Sequence, residues 1–156
     1  MKFANCAIYL AVIGTLSFYL GRIVPKKWFH SNSFLFRCRK WEKNGQWYLR
    51  LHIRKWHRCL PDMSKIFSRL MPAKAIDQSV DEKKLQLMIQ ETCVAEATHA
   101  ALMVAGCACL VIWPGIGGFV ITLINAIGNL PFVLIQRFNR PRLERLLKKY
   151  TQEVVG

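Results

Sequence analysis

The chain has 156 residues, of which 53% are hydrophobic, and a formal net charge of +14. Its mean hydropathy of +0.17 is high for so charged a chain, and the two values fit together only if charge and apolar residues are segregated along it. That pattern excludes an ordinary soluble globule. It also argues against a nucleic-acid partner, because the basic residues flank the apolar runs and no recognition-helix, zinc-finger or stacking-sheet pattern appears.

The first apolar run, residues 3–23, is long enough for one bilayer crossing and predicts transmembrane helix 1. Bulky Phe18, Tyr19 and Leu20 stand near its end, where signal-peptide cleavage needs small residues, so it reads as an uncleaved anchor. Arg22, Lys26 and Lys27 follow, against a lone Lys2 before it, and Pro25 stops the helix.

Residues 24–78 form a cytoplasmic or interfacial segment. Trp28, Phe29, Phe34, Phe36, Trp41, Trp47, Tyr48 and Trp56 alternate there with lysines and arginines, a mixture that suits the lipid headgroup layer. Asn44-Gly45 signals a turn. The alternation from Trp47 to Arg54 predicts a short extended or interfacial piece.

Residues 79–113 predict one long helix, with Ser79 and Glu82 as a capping box, polar at first and entering the membrane as helix 2 after Glu96. From Ala97 to Gln136 runs a charge-free stretch of about forty residues, enough for two crossings. Trp113-Pro114-Gly115 ends helix 2, and residues 116–135 return as helix 3, with Pro131 expected to kink it. Residues 136–156 form a basic tail with a short amphipathic helix from Pro141. The fold class is therefore an all-α membrane protein with about three transmembrane helices, an interfacial aromatic and basic segment, and a C-terminal amphipathic helix.

Two constellations carry candidate chemistry. Glu91, Glu96 and His99 fall on one broad helix face, with Glu96 and His99 at about 140° and 80° from Glu91. Carboxylates at the membrane edge are costly unless paired or used, and a His beside a carboxylate suits a general base. A structural polar cluster explains the same spacing equally well. The second is Asn129-Leu130-Pro131 followed by Gln136, Arg137, Phe138, Asn139, Arg140, Pro141 and Arg142. Its arginines suit either a phosphate-bearing ligand or a topology anchor. The six cysteines include no C-x-x-C pair and no zinc spacing, H-E-x-x-H is absent, and no metal or other cofactor is expected. The block from Trp56 to Asp62 reads by composition as an interfacial turn.

Together these segments resemble the glycosyl-4,4'-diaponeurosporenoate acyltransferase family, small bacterial membrane enzymes of staphyloxanthin-type carotenoid synthesis. The resemblance runs from about Gly21 to Lys148. It rests on Asn129-x-Pro131 with the Gln136 to Leu143 string, then on Glu91-Thr92, Glu96 and His99. Glu42-x-x-Gly45 and the block from Arg54-Lys55-Trp56 to Leu60-Pro61-Asp62 add to it. His57 and Ala100 depart from the family pattern without removing a candidate group.

The resemblance implies a multi-pass enzyme of the bacterial cell membrane that esterifies a hydroxyl of a lipid-linked sugar with a fatty acyl group. The implied catalytic residues are His99 with Glu96 or Glu91, and the implied substrate-binding residues are Asn129, Gln136, Arg137, Asn139, Arg140, Arg142 and Trp56. The implied partners are the lipid bilayer, a glycosylated lipid acceptor and an acyl donor, whether acyl-CoA, acyl carrier protein or a phospholipid. A non-catalytic scaffold of a lipid pathway and a metal-dependent membrane hydrolase are the alternatives.

The Lys/Arg bias predicts the N-terminus outside, residues 24–90 inside, the Trp113-Pro114-Gly115 turn outside and the C-terminus inside. In intact cells an impermeant thiol reagent should therefore leave Cys38 and Cys59 unmodified. Labelling of either would reverse the orientation.

Overall fold

The computed structural model describes residues 1–56 and 82–155. Five α-helices order them: α1 (Lys2–Ile23), α2 (Ile53–Trp56), α3 (Glu82–Gly106), α4 (Cys109–Ile112) and α5 (Ile116–Val155). Two 3-10 segments, Lys26–Trp28 and Lys40–Leu51, lie between α1 and α2. Ser79, His57, Cys59 and the Leu60-Pro61-Asp62 and Met71-Pro72 signals fall outside the described residues. Three helices are long and apolar enough to cross a membrane, so the chain is a membrane protein.

α1 ends where a proline dictates. Val24 precedes Pro25 and adopts φ −58°, ψ 128°, because the proline ring crowds a helical residue before it. α1 then lies antiparallel to α3. Near its start the Tyr9 hydroxyl donates to the Ala105 carbonyl at 2.9 Å. Near its end Gly21 packs against Val94 and Thr98, and Lys26 beyond it donates to Glu91 at 2.6 Å. The aromatic and basic segment therefore emerges at the same end of the bundle as Glu91.

α3 and α5 form the central hairpin, antiparallel throughout. From the turn outward, Thr122 meets Gly106, Asn125 meets Leu102, Asn129 meets His99, and Arg137 meets Glu96. Still further along, Leu143 packs with Leu85 and Ile89. Gly106 is required by this approach, since a Cβ there would lie 2.1 Å from Asn125 Nδ2. The outward faces are apolar and open: Val104 is 74% exposed and Val111 and Ile116 are each 80% exposed, as lipid contact demands.

Three local features differ from expectation. The helix predicted over 79–113 is broken at Cys107–Ala108, after which the short α4 leads into the hairpin turn. The return helix does not stop at Ile135. α5 is one helix of 40 residues that includes both Pro131 and Pro141. At about 1.5 Å per residue it is roughly 60 Å long, twice the hydrocarbon thickness of about 30 Å. Each proline forfeits one backbone hydrogen bond. Packing of Leu143, Leu147 and Tyr150 on Leu85, Met88 and Ile89 holds the tail half helical nevertheless, because tertiary burial outweighs local propensity.

The third difference is the segment around Trp47, which is not extended. Lys40–Leu51 is a 3-10 segment turned back on itself by left-handed Lys43, Asn44 and Gly45, with φ of 47°, 55° and 86°. Tyr48 and Ile53 are buried against Phe138 of α5, with Trp47, Trp56, Leu134 and Ile135 around them. This small core clamps the interfacial segment to the middle of α5. Gly45 sits at the contact, where a Cβ would come within 3.1 Å of the Phe138 carbonyl oxygen.

Gly45→Ala therefore meets both backbone strain and a crowded carbonyl. The left-handed conformation alone costs an L-residue about 1–2 kcal/mol. Thermal unfolding of the detergent-purified protein should fall measurably for Gly45→Ala and stay unchanged for Gly14→Ala, whose Cβ meets nothing within 4 Å.

Candidate active site

α5 presents Arg137 and Arg140 three residues apart, and α3 presents Thr92 and Glu96 four apart, so each pair shares a helix face. Where these faces meet, Glu96 is buried between both guanidinium groups. Arg137 Nε donates to Glu96 Oε1 at 2.7 Å, and Arg140 Nη2 donates to Glu96 Oε2. Arg140 is only 2% exposed. It also donates to Thr92 Oγ1 at 2.9 Å, to the Thr92 carbonyl at 3.1 Å and to the Phe36 carbonyl at 2.6 Å.

Arg137 carries the network to the interfacial segment. Its Nη1 donates to Glu42 Oε1 at 3.0 Å and its Nη2 to the Leu35 carbonyl at 2.7 Å. Glu42 is 2% exposed and accepts further hydrogen bonds from the Tyr48 hydroxyl and the Arg39 backbone N–H. Burial alone would raise the Glu42 pKa. The Arg39 N–H, Tyr48 and Arg137 together outweigh it and hold the carboxyl below its ordinary value. Burial and the neighbouring Glu42 carboxylate raise the Tyr48 pKa, so the phenol remains a donor. Two carboxylates and two guanidinium groups thus form a closed, neutral network.

Toward the hairpin turn the polar groups change character. His99 Nδ1 lies 2.9 Å from Asn129 Oδ1. The imidazole stacks on Phe132, with ring centroids 4.5 Å apart and planes 9° from parallel. Asn129 Nδ2 donates to the Asn125 carbonyl at 2.9 Å and to Asn125 Oδ1 at 3.2 Å. Asn125 Nδ2 in turn donates to the Leu102 carbonyl at 3.0 Å. His99 lies about one helical turn beyond Glu96 along α3.

This arrangement separates residues that the sequence grouped. The expected partner of His99 was Glu96 or Glu91, but Glu96 is held by the two arginines and Glu91 by Lys26, which leaves Asn129 beside the imidazole. A shared helix face did not decide the pairing; the groups on α5 and after α1 did. Among the described residues no three His, Cys, Asp or Glu side chains are placed to hold a metal ion. A hydrolase using Glu91, Glu96 and His99 as metal ligands does not match this geometry.

The remaining candidates lie around the network. Arg142 is exposed and its guanidinium sits 4.8 Å over the Phe138 ring. Gln136 and Asn139 are half-buried on α5. Trp56 donates from Nε1 to the Leu51 carbonyl at 2.8 Å and packs beside Tyr48 and Ile53. Arg137 and Arg140 also line a small cleft that includes Cys38, Pro141 and Glu144.

Sequence reasoning missed Tyr48, Asn125, Phe132, Lys26 and the role of Thr92. Glu42-x-x-Gly45 and Glu91-Thr92 were visible signals for two of these contacts. Nothing local marks Asn125 or Phe132 apart from their helical spacing to Asn129.

Three helices long and apolar enough to cross a membrane, with a buried polar seam between α3 and α5, define a membrane protein built around a polar site. The family model described as glycosyl-4,4'-diaponeurosporenoate acyltransferase matches residues 25–149. The chain belongs to this family and is an acyltransferase. A relative of that name from Staphylococcus aureus strain MRSA252 is 28% identical over 148 residues, covering 92% of this chain and 86% of the relative. The protein of the same name from strain N315 is 27% identical over 148 residues with the same coverage. No solved structure matches the chain.

The buried network makes Arg140 a structural keystone as well as a candidate ligand. Arg140→Ala leaves Glu96 with one cation and strips the donor from Thr92 and Phe36. Breaking a buried pair costs about 3–5 kcal/mol. Exposed Lys148 replaced by Ala should cost no more than about 0.5 kcal/mol. Membrane abundance and thermal unfolding in detergent should therefore drop sharply for Arg140→Ala alone, and equal values for the two variants would show that Arg140 is merely a charge anchor.

Proposed function

We propose that this acyltransferase esterifies a hydroxyl of a lipid-linked sugar, with glycosyl-4,4'-diaponeurosporenoate or a similar glycolipid as acceptor and with His99 as general base. Membership of the family supports the reaction class and the acceptor class. The observation that carries the site assignment is the His99–Asn129 pair, set between α3 and α5 one turn inside the ionic network. At that depth a polar headgroup gives way to acyl chain. A base there meets an amphiphile's reactive carbonyl, while the donor's polar part lies toward Arg137, Asn139, Arg140 and Arg142.

The step balances without a cofactor. His99 takes the proton from the sugar hydroxyl as its oxygen attacks the acyl carbonyl carbon. The carbonyl oxygen gains negative charge as the new C–O bond forms. That charge returns to the carbonyl as the bond to the donor's sulfur or oxygen breaks, and His99 passes the proton to the leaving group. Glu96 does not serve as the partner of the imidazole in this scheme. It holds the two arginines, and through them the headgroup end of the site, in place. Acyl-CoA, acyl carrier protein and a phospholipid all suit a donor site on the basic, cytoplasmic side. In this reading the N-terminus and the Trp113-Pro114-Gly115 turn are outside the cell and the aromatic and basic segment is inside.

A general base contributes about 10²–10⁴ in rate. His99→Ala should lose ester formation by that factor in membranes supplied with acyl-CoA and glycosyl-4,4'-diaponeurosporenoate, at wild-type protein abundance. His30→Ala and His52→Ala, at exposed positions of the interfacial segment, should act normally. Near-wild-type turnover by a well-expressed His99→Ala protein would refute the base and favour a scaffold.

A further inference from the structure

A base also needs its lone pair on the correct nitrogen, and the hydrogen bonds around His99 decide which one that is. The Leu102 carbonyl can only accept, so Asn125 presents Nδ2 to it and keeps Oδ1 for another partner. Asn129 Nδ2 donates both to that Oδ1 and to the Asn125 backbone carbonyl, which also only accepts. The Asn129 amide is thereby fixed with Oδ1 toward the imidazole, 2.9 Å from His99 Nδ1. An oxygen acceptor requires Nδ1 to carry the hydrogen, which leaves Nε2 unprotonated in the neutral ring.

We propose that Asn129, oriented by Asn125, is the positioning residue that holds His99 as its Nδ1–H tautomer and leaves Nε2 as the basic atom. The assignment rests on the reading of His99 as the base. Phe132 completes the device, because its stacked ring blocks one face of the imidazole and limits rotation out of line with Asn129. Asn129 therefore serves the reaction through His99, whereas the sequence grouped it with the substrate-binding residues. The amide adds no charge of its own. It sets the tautomer without turning the imidazole into a standing cation beside lipid, which a carboxylate in its place would favour. The nearest carboxylates on α3, Glu91 and Glu96, are bound to Lys26 and to the two arginines.

The test is nitrogen-15 NMR of histidine-labelled protein in detergent micelles, with His30, His52 and His57 replaced by Gln so that His99 alone reports. The parent should show a protonated Nδ1 and an unprotonated Nε2. Asn129→Leu should lose that preference and give a mixture of tautomers, and Asn129→Asp, which keeps an oxygen acceptor, should keep the hydrogen on Nδ1 while the doubly protonated ring gains population as pH falls. Turnover in the acyl-CoA assay should fall at least about tenfold in Asn129→Leu, a part of the 10²–10⁴ attributable to the base, and less in Asn129→Asp. A parent protein with Nε2–H, or an unchanged Nδ1–H ring in folded Asn129→Leu, would overturn the positioning role even if His99 proved essential. If the tautomer responds as stated but His99→Ala remains active, the hydrogen-bond assignment stands and the general-base reading falls.

Discussion

The end of the bundle that carries the aromatic and basic segment depends on one buried carboxylate. Glu96 accepts from both Arg137 and Arg140, and neither guanidinium is free to leave without exposing an unpaired charge in a poorly solvated place. Taking charges out of water costs several kcal/mol per ion, and the cost is recovered only when every polar group is satisfied. Here each arginine donates to carbonyl oxygens as well as to carboxylates. The result fixes the register of α3 against α5: a shift of either helix by a single residue would separate Glu96 from both arginines.

The same arginines organise the segment between α1 and α2. Arg137 reaches Glu42 and the Leu35 carbonyl, and Arg140 reaches the Phe36 carbonyl. A loop rich in aromatic and basic residues is thereby held against α5, with Tyr48, Ile53 and Phe138 sealing the contact. Trp28, Phe34 and Trp41 remain exposed on this segment, and amphipathic rings in that position suit the layer between water and acyl chain. The ionic network and the His99–Asn129 pair then divide the labour along α3. Paired charges hold α3 to α5 at the end that carries the aromatic and basic segment, and the hydrogen-bonded imidazole lies one turn nearer the hairpin turn.

The three helices long and apolar enough to cross a membrane were legible in the sequence because each depends on a local property: a long run of apolar residues nearly free of charge. Family membership was legible for a similar reason, since the Gln136 to Leu143 string and Glu91-Thr92, Glu96 and His99 stand in order along the chain. The turn at Asn44-Gly45 was also local. The continuity of α5 was not, because proline is a local stop signal and its cost at Pro131 and Pro141 is offset by side chains such as Leu85 and Ile89, which come from another helix.

What the sequence by itself determined, then, is which segments are long and apolar enough to cross a membrane, which residues carry charge or a titratable ring, and which face of α3 they share. Only the tertiary structure decided who binds whom. Glu96 and His99 are three residues apart and look like partners, yet the carboxylate belongs to Arg137, 41 residues away, and the imidazole to Asn129, 30 residues away. Glu42 joins Arg137 across 95 residues. Helical phase restricts a side chain to a face, but a buried charge goes to the strongest opposite charge that packing brings to that face. That choice is made by the neighbouring helix.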